Sequence, residues 1–375
     1  MRTNVFLDRS RIKDRQGCPT YRYLHYDKKL PDNPEASGLQ KPIPARHFGV
    51  GLVVHKGLEI LLKTGDIGKA TGEEVDALLF ESFPYDNDRK EAEYLCKGLI
   101  YGWYRERYPA IMRDYHILET EKTYQWQIAE DAQYLYYYNF RVDALLERKD
   151  DARIAILDFK TSKKCDDEWA RMFEHDLQPI LYTTAIDELL GVDCLGMLFE
   201  GLVKGETRID TAKSSPFHGQ WIQYSPLCYG YKTDNGYQLD YLKGAEKIRV
   251  SDHFSVEEWY DHFVIPQLNT SLFVHVPPIK PTPIVAQNII QSIIFAETTY
   301  HSTLSRINQI ASDYPTLLPY IEAREIEKNT SHCWKYGKEY QCQFYDICWT
   351  QGVSEDPLSH GYIPRVHNHA EEVNS

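Results

Sequence analysis

No stretch of this 375-residue chain is apolar for long enough to span a bilayer, and Met1-Arg-Thr-Asn opens no secretory h-region. Both absences set the expectation of a cytoplasmic protein that does not engage a membrane. A phosphate-cradling loop is also missing, because Gly65-Asp-Ile-Gly68-Lys69 is too short between its glycines for G-x-x-x-x-G-K-[ST]. No ATP-driven motor is therefore expected. There is no internal repeat. Positive charge is scarce, with a formal net charge of −13. Phosphate affinity comes from Lys and Arg, so this balance counts against tight nonspecific binding of nucleic acid. Acidic residues concentrate in segments such as Gly72-Glu-Glu-Val-Asp and Ser354-Glu-Asp, which leaves room for a local basic groove. What the chain has in plenty is aromatic: 13% of residues, with 28 Tyr, a composition that excludes general disorder. It also has eight Cys, which in an intracellular chain are thiols or metal ligands rather than disulfides.

The most informative stretch runs from Tyr138 to Lys160. Two β-rich runs, Tyr-Asn-Phe-Arg-Val-Asp-Ala-Leu-Leu-Glu and Ile-Ala-Ile-Leu-Asp-Phe-Lys, flank a charged turn at Asp150 and Asp151 and predict a hairpin. Side chains alternate along a strand, so Ile154, Ile156, Asp158 and Lys160 share one face. A turn symmetric about the Asp150–Asp151 bond puts Asp143 opposite Asp158, with Cβ atoms about 5 Å apart. Two carboxylates that close repel unless a cation lies between them, and oxygen ligands favour magnesium or manganese. A lone D-x-K on a strand is more often a solvated face. Here Ile-Ala-Ile-Leu precedes Asp158, which reads as a buried central strand, and an ionised carboxylate and an ammonium at its end need partners.

Asp143, then Asp158-Phe159-Lys160-Thr161-Ser162, then Gln178-Pro-Ile-Leu-Tyr182 resemble the PD-(D/E)xK nuclease superfamily, in its RecB-type branch. Gln178 and Tyr182 are four apart and would project from one face of a helix. That branch carries a G-x-x-x-H-x-x-x-E segment upstream, which Gly51, His55 and Glu59 match. The resemblance implies that His55, Asp143 and Asp158, with the backbone carbonyl of Phe159, bind Mg²⁺ or Mn²⁺. It implies that Lys160 acts on the attacking water, and that Gln178 and Tyr182 hold the helix edge against substrate or the Lys.

Along the chain, residues 10–17 predict a helix with Ser10 as N-cap, and an aromatic, basic helix follows Pro19. Residues 28–47 read as a Pro-rich loop and 47–65 as a helix with an apolar stripe at Val54, Leu58, Leu61 and Leu62. Helices are expected at about 88–108, 166–175 and 177–190, and a strand at 193–203. Strand, helix, strand at that spacing implies a right-handed parallel crossover. Residues 206–283 suggest a strand-rich insertion (217–231, for instance), a helix at 255–268, and a rigid linker at Pro277, Pro278, Pro281 and Pro283. A long helix at about 285–312 follows, and the polar end from Ser354 reads as a frayed tail.

Cys96, Cys165, Cys194 and Cys228 are dispersed and read as ordinary thiols, whereas Cys333, Cys342 and Cys348 share one short aromatic segment. Iron–sulfur clusters and zinc sites each want four ligands, so three call for a fourth. The segment and Cys18-Pro near the start resemble the iron–sulfur members of the RecB-type branch, AddB-like and CRISPR-adaptation-type exonucleases. There one Cys precedes the nuclease core and three follow it. The match implies a 4Fe-4S cluster on Cys18, Cys333, Cys342 and Cys348, with zinc as the alternative. Cys333 departs from the pattern, eight residues from Cys342 where two are usual, and a loop through Gly337 could make up the difference.

The expected fold is α/β: a restriction-endonuclease-like core with a mixed β-sheet flanked by helices, its N- and C-terminal segments joined by a metal cluster. The divisions are 1–48 for a cluster-binding segment, 49–205 for the nuclease core, 206–283 for an insertion and linker, 284–352 for the C-terminal helix and cysteines, and 353–375 for a flexible tail. The expected activity is metal-dependent DNA hydrolysis at ends or single-stranded regions. Its settings would be repair, recombination, or phage and mobile-element processing, and any unwinding would come from a helicase or recombination partner. A non-catalytic DNA-binding scaffold and an RNA-directed nuclease stand as alternatives.

Overall fold

A computed structural model describes residues 2–30, 33–42, 46–209, 213–214, 218, 221–234, 236–240, 242–268, 270–314, 318–335, 340–350 and 356–365. Phe217, Gly337, Ser354 and residues 366–375 lie outside the described residues, so the expectations that rest on them go with them. The chain divides into two compact units. The first holds Met1–Pro44, Thr123–Arg141 and Thr282–Ser375, and the second Ala45–Lys122 and Val142–Pro281.

The elements that matter here, in chain order, are β1 (Thr3–Leu7), α1 (Arg9–Gly17), α2 (Arg46–Thr64), α3 (Asp86–Glu106), β2 (Tyr115–Glu130), β3 (Tyr134–Arg148), β4 (Ile154–Ser162), α4 (Leu177–Leu190), β5 (Gly196–Val203), β6 (Phe273–Ile279) and α5 (Pro283–Asp313). In the second unit β3 pairs antiparallel with β4, from Ala144 against Leu157 to Glu147 against Ile154. This is the hairpin register the symmetric turn predicts, and Arg148 N–H donates to the Arg153 carbonyl to close it. β4 runs parallel to β5, so the chain makes the expected crossover through α4. β6 then pairs antiparallel with β5. The sheet is mixed, as anticipated.

Alternation along β4 decides what each face buries. Ala155, Leu157 and Phe159 join the core with Val53, Leu58 and Leu61 of α2 and Leu99 and Trp103 of α3. The opposite face receives the segment around α4, where Phe173 stacks on Phe199, the register neighbour of Asp158. Asp176 caps α4 by accepting from Gln178 N–H at 2.8 Å, and Gly191, at φ 65°, ends it in the left-handed region where a Cβ is unfavourable. The carboxylate cap and the αL glycine fix both ends of the helix that carries Gln178.

In the first unit β1 pairs parallel with β3, from Thr3 against Tyr134 to Leu7 against Tyr138, a strand that no sequence signal announced. The cap of α1 is Asp8, whose Oδ1 accepts from Arg11 N–H at 2.8 Å, rather than Ser10. Arg22 and Glu297 form a buried ion pair, with Arg22 Nε also 3.2 Å from Asp27 Oδ2. Thr20 Oγ1 donates to the Glu327 carbonyl at 2.9 Å, so the early and late parts of the chain are tied together by hydrogen bonds.

Two expectations are corrected. Pro277 and Pro278 lie in β6 and not in a linker; β6 ends the sheet of its unit, and its register shifts between Val276 and Ile279, where a missing N–H costs least. Part of the supposed tail is ordered: Ile363–Pro364 pairs with Leu39–Gln40 inside the supposed 28–47 loop, and Tyr362 is buried. Among the described residues, no helix is long and apolar enough to cross a membrane.

Candidate active site

Asp158, Phe159 and Lys160 lie in the middle of β4, and the register carried one residue past Ala144–Leu157 puts Asp143 across from Asp158. Gln178 Nε2 of α4 donates to Asp158 Oδ1 at 2.6 Å, and Lys160 Nζ stands 2.5 Å from Asp158 Oδ2. Phe159 N–H donates to Asp143 Oδ2 at 2.7 Å, and His55 Nδ1 of α2 lies 3.4 Å from the same oxygen. His55 and the Phe159 ring meet edge to face at 6.1 Å. Six of the expected residues, His55, Asp143, Asp158, Phe159, Lys160 and Gln178, thus converge through direct contacts. Tyr182, one turn on from Gln178, is buried on the same helix, and Lys160 remains 28% exposed at the solvent side.

A Cβ at Gly51 would stand 3.2 Å from Thr161 Oγ1, so α2 runs close to β4 at this point. That close approach brings His55, one turn later, to the middle of β4. Glu59, the last member of the matched segment, is not in the site: it pairs with Lys63 and Lys56 along α2.

The two carboxyls are tuned apart. Burial pushes Asp143 up, but His55, Lys160 and the Phe159 N–H outweigh it and hold the carboxyl below its ordinary range. At Asp158 burial prevails, aided by the charge of Asp143 and opposed by Lys160, and the carboxyl is held above its ordinary range. Burial opposes a charge on His55 too, yet Asp143 raises it on balance. Asp143 is therefore the settled anion, and Asp158 a carboxylate short of positive charge.

An oxygen-rich set with one imidazole suits a hard divalent cation. Gln178 Oε1 is buried without a hydrogen-bond partner among the described residues, an acceptor left over beside Asp158. The donor chemistry fits such a cation. As they stand, however, no three described His, Cys, Asp or Glu side chains form a ready metal-holding group. Lys160 stands against Asp158 Oδ2 and His55 against Asp143 Oδ2.

Cys18, Cys333, Cys342 and Cys348 line one cavity in the first unit, with His332 and Lys328, but the thiols are not gathered into a metal-holding group. Asn329 N–H donates to Cys18 Sγ at 3.4 Å, and burial pushes the Cys348 thiol up to about 12. No disulfide forms among the described residues, and Cys96, Cys194 and Cys228 are buried in apolar surroundings as expected.

One buried charged neighbour escaped the sequence reading. Glu200 is fully buried within β5 and accepts from Trp103 and Arg107 behind Phe159. Its signal was available: a single Glu inside Gly-Met-Leu-Phe-Glu-Gly-Leu-Val, a charge that burial obliges to find partners.

A family model described as PD-(D/E)XK nuclease superfamily matches residues 9–252, about two thirds of the chain, and so spans every residue of the β4 site. No curated protein matches the chain.

Proposed function

The chain belongs to the PD-(D/E)XK nuclease superfamily, and from that premise we propose that it is a magnesium- or manganese-dependent deoxyribonuclease acting at DNA ends. The observation that carries the reading is the convergence of His55, Asp143, Asp158, Lys160 and Gln178 through direct contacts, with Lys160 still 28% exposed. His55, Asp143, Asp158 and the Phe159 carbonyl would hold the cation, which supplies Lewis-acid stabilisation of the charge developing on the phosphoryl group. Gln178 fixes Asp158 through Oδ1 and leaves Oδ2 turned toward the site. Asp143, anionic and bonded to the Phe159 N–H, holds the main chain between the two catalytic side chains. The Lys160 ammonium orients the attacking water and donates to the developing oxyanion. Water adds to phosphorus and gives up a proton to solvent, the bond to the leaving oxygen breaks, and that oxygen takes a proton from the Lys160 ammonium, which solvent then restores. Tyr182 would support Gln178 from the next turn.

The test is incubation of the purified protein with end-labelled linear and closed circular DNA and with RNA, with and without Mg²⁺ or Mn²⁺. Metal-dependent loss of the linear DNA alone supports an exonuclease. Cleavage of the circle points to an endonuclease, cleavage of RNA alone to an RNA-directed enzyme, and binding without cleavage to a scaffold.

A second reading concerns the cysteines. We propose that Cys18, Cys333, Cys342 and Cys348 hold a 4Fe-4S cluster, and the support is the single cavity that all four line. Protein prepared without oxygen would be brown. A colourless preparation with stoichiometric zinc would replace the cluster with a zinc site.

A further inference from the structure

Behind the candidate site, on the face of β4 away from Gln178, lies a buried polar cluster that the reaction does not use directly. Glu200 is paired in register with Phe159 on one side and His275 on the other. Its Oε2 accepts from Trp103 Nε1 at 3.0 Å and Arg107 Nε at 3.0 Å. Its Oε1 accepts from Arg107 Nη2 at 2.9 Å and lies 2.8 Å from His275 Nδ1. Burial pushes this carboxyl up, and His275, Arg107 and Trp103 together bring it below its ordinary range. A well-packed apolar residue at this place would serve stability at least as well as an ion pair in so apolar a strand. The carboxylate does something a leucine could not: it fixes the rotation of the Trp103 indole by a hydrogen bond.

That indole stands edge-on to the Phe159 ring, with centroids 5.1 Å apart at 89°. Phe159 is in turn edge-on to His55 and gives its N–H to Asp143. Its main chain separates Asp158 from Lys160 by one residue on each side. A shift of the Phe159 ring therefore moves the backbone that carries both catalytic side chains, and with it the carboxylate of Asp143.

We propose that Glu200 is a positioning residue of the active site, acting through Trp103 on Phe159 to set Asp143, His55 and Asp158 for cation binding. The inference rests on the metal-centre reading above. A group hydrogen-bonded directly to a metal ligand commonly changes metal affinity by about 10- to 100-fold when it is lost, and Glu200, which acts from beyond Trp103, should have a smaller effect.

The test is calorimetric titration of the full-length protein with Mn²⁺, without nucleic acid, for the parent, Glu200→Gln and Trp103→Phe. Val250→Ala serves as a control that removes buried volume in the same core without touching the chain of contacts. Glu200→Gln and Trp103→Phe should each weaken Mn²⁺ binding by several-fold, short of the about 10- to 100-fold expected for a direct partner of a ligand. Val250→Ala should lower the melting temperature and leave the affinity at the parental value. If Glu200→Gln does not fold, Trp103→Phe decides alone. Parental affinity in the folded Glu200 and Trp103 variants, with only their melting temperatures lowered, makes Glu200 a structural residue and overturns the proposal. A parent that binds no Mn²⁺ overturns the metal-centre reading and the proposal with it.

Discussion

The middle of β4 and the cysteine cavity both collect chemistry-bearing side chains, and they do so by opposite means. At β4 the groups come from neighbouring elements and are pinned: Asp158 by Gln178 at 2.6 Å and Lys160 at 2.5 Å, Asp143 by the Phe159 N–H at 2.7 Å. Around the cavity the thiols come from distant parts of the chain and are loosely held, Cys18 Sγ by Asn329 N–H at 3.4 Å and Cys333 Sγ 4.0 Å from the Asn329 carbonyl. A site of short charge-assisted bonds is shaped before any ion arrives. A cavity of weakly bonded thiols would draw its order from what it binds. The contrast extends to what holds each region. The buried Arg22–Glu297 pair and the Thr20–Glu327 hydrogen bond tie the first unit without help from sulfur.

The two regions should therefore respond independently to mutation. The largest effect belongs to Asp158→Ala and Lys160→Ala, each of which should lower metal-dependent cleavage by about 100-fold or more. The anaerobic absorption spectrum should not change. Cleavage at the parental rate in either variant would remove the β4 site from the chemistry.

Next comes His55→Ala, with a loss of about ten-fold or more at limiting Mn²⁺, partly restored by excess Mn²⁺. Activity titrated against Mn²⁺ for the two proteins measures it. A lowered melting temperature with unchanged metal dependence would make His55 a core residue.

Cys18→Ser sharpens the comparison from the other side. It should abolish the brown colour, lower the melting temperature by several degrees, and leave cleavage per folded molecule near the parental rate. Closing so long a loop would contribute about 4 kcal/mol or more in the chain-entropy picture. The Arg22–Glu297 and Thr20–Glu327 links should keep the protein folded without it. Loss of cleavage in parallel with colour would couple the two regions.

The smallest effect is a gain. Because the Asp158 carboxyl is held above its ordinary range, its ionised form is disfavoured in the folded state. Stability is then higher at pH values below the folded value and falls as Asp158 ionises. Asp158→Asn, without metal at neutral pH, should accordingly melt higher, with each kcal/mol recovered worth about 2–4 °C. The difference should shrink as pH falls toward the carboxyl range. A variant that melts lower than the parent across that range would show that Lys160 needs the charge.

The hairpin, the crossover and the helix of His55 were legible in the residues because each depends on a local period. The side chain of every second residue in a strand faces one way, so Asp158 and Lys160 had to share a face once β4 was a strand. The symmetric turn then left Asp143 one place for its carboxylate. The spacing of Gln178 and Tyr182 is similarly local, and so is the Asp176 cap that aims their helix. Where local signals competed, the reading slipped. Pro277 and Pro278 looked like linker residues, because nothing nearby says that β6 ends the sheet of its unit. Ser10 was the expected cap, and only the backbone geometry gives that place to Asp8.

Long-range pairing was beyond any period. β1 found β3 across more than a hundred residues, Trp103 found Glu200 across 97, and Cys18 came to line one cavity with Cys348. Each of these joins groups whose separation along the chain says nothing of their separation in space. Burial of a charge or a strand edge demands some partner, but does not say which. The residue types and their periods determined that Asp143, Asp158 and Lys160 gather on one pair of strands. Only tertiary packing decided what stands behind it, because the choice among distant partners is made by which apolar faces close together.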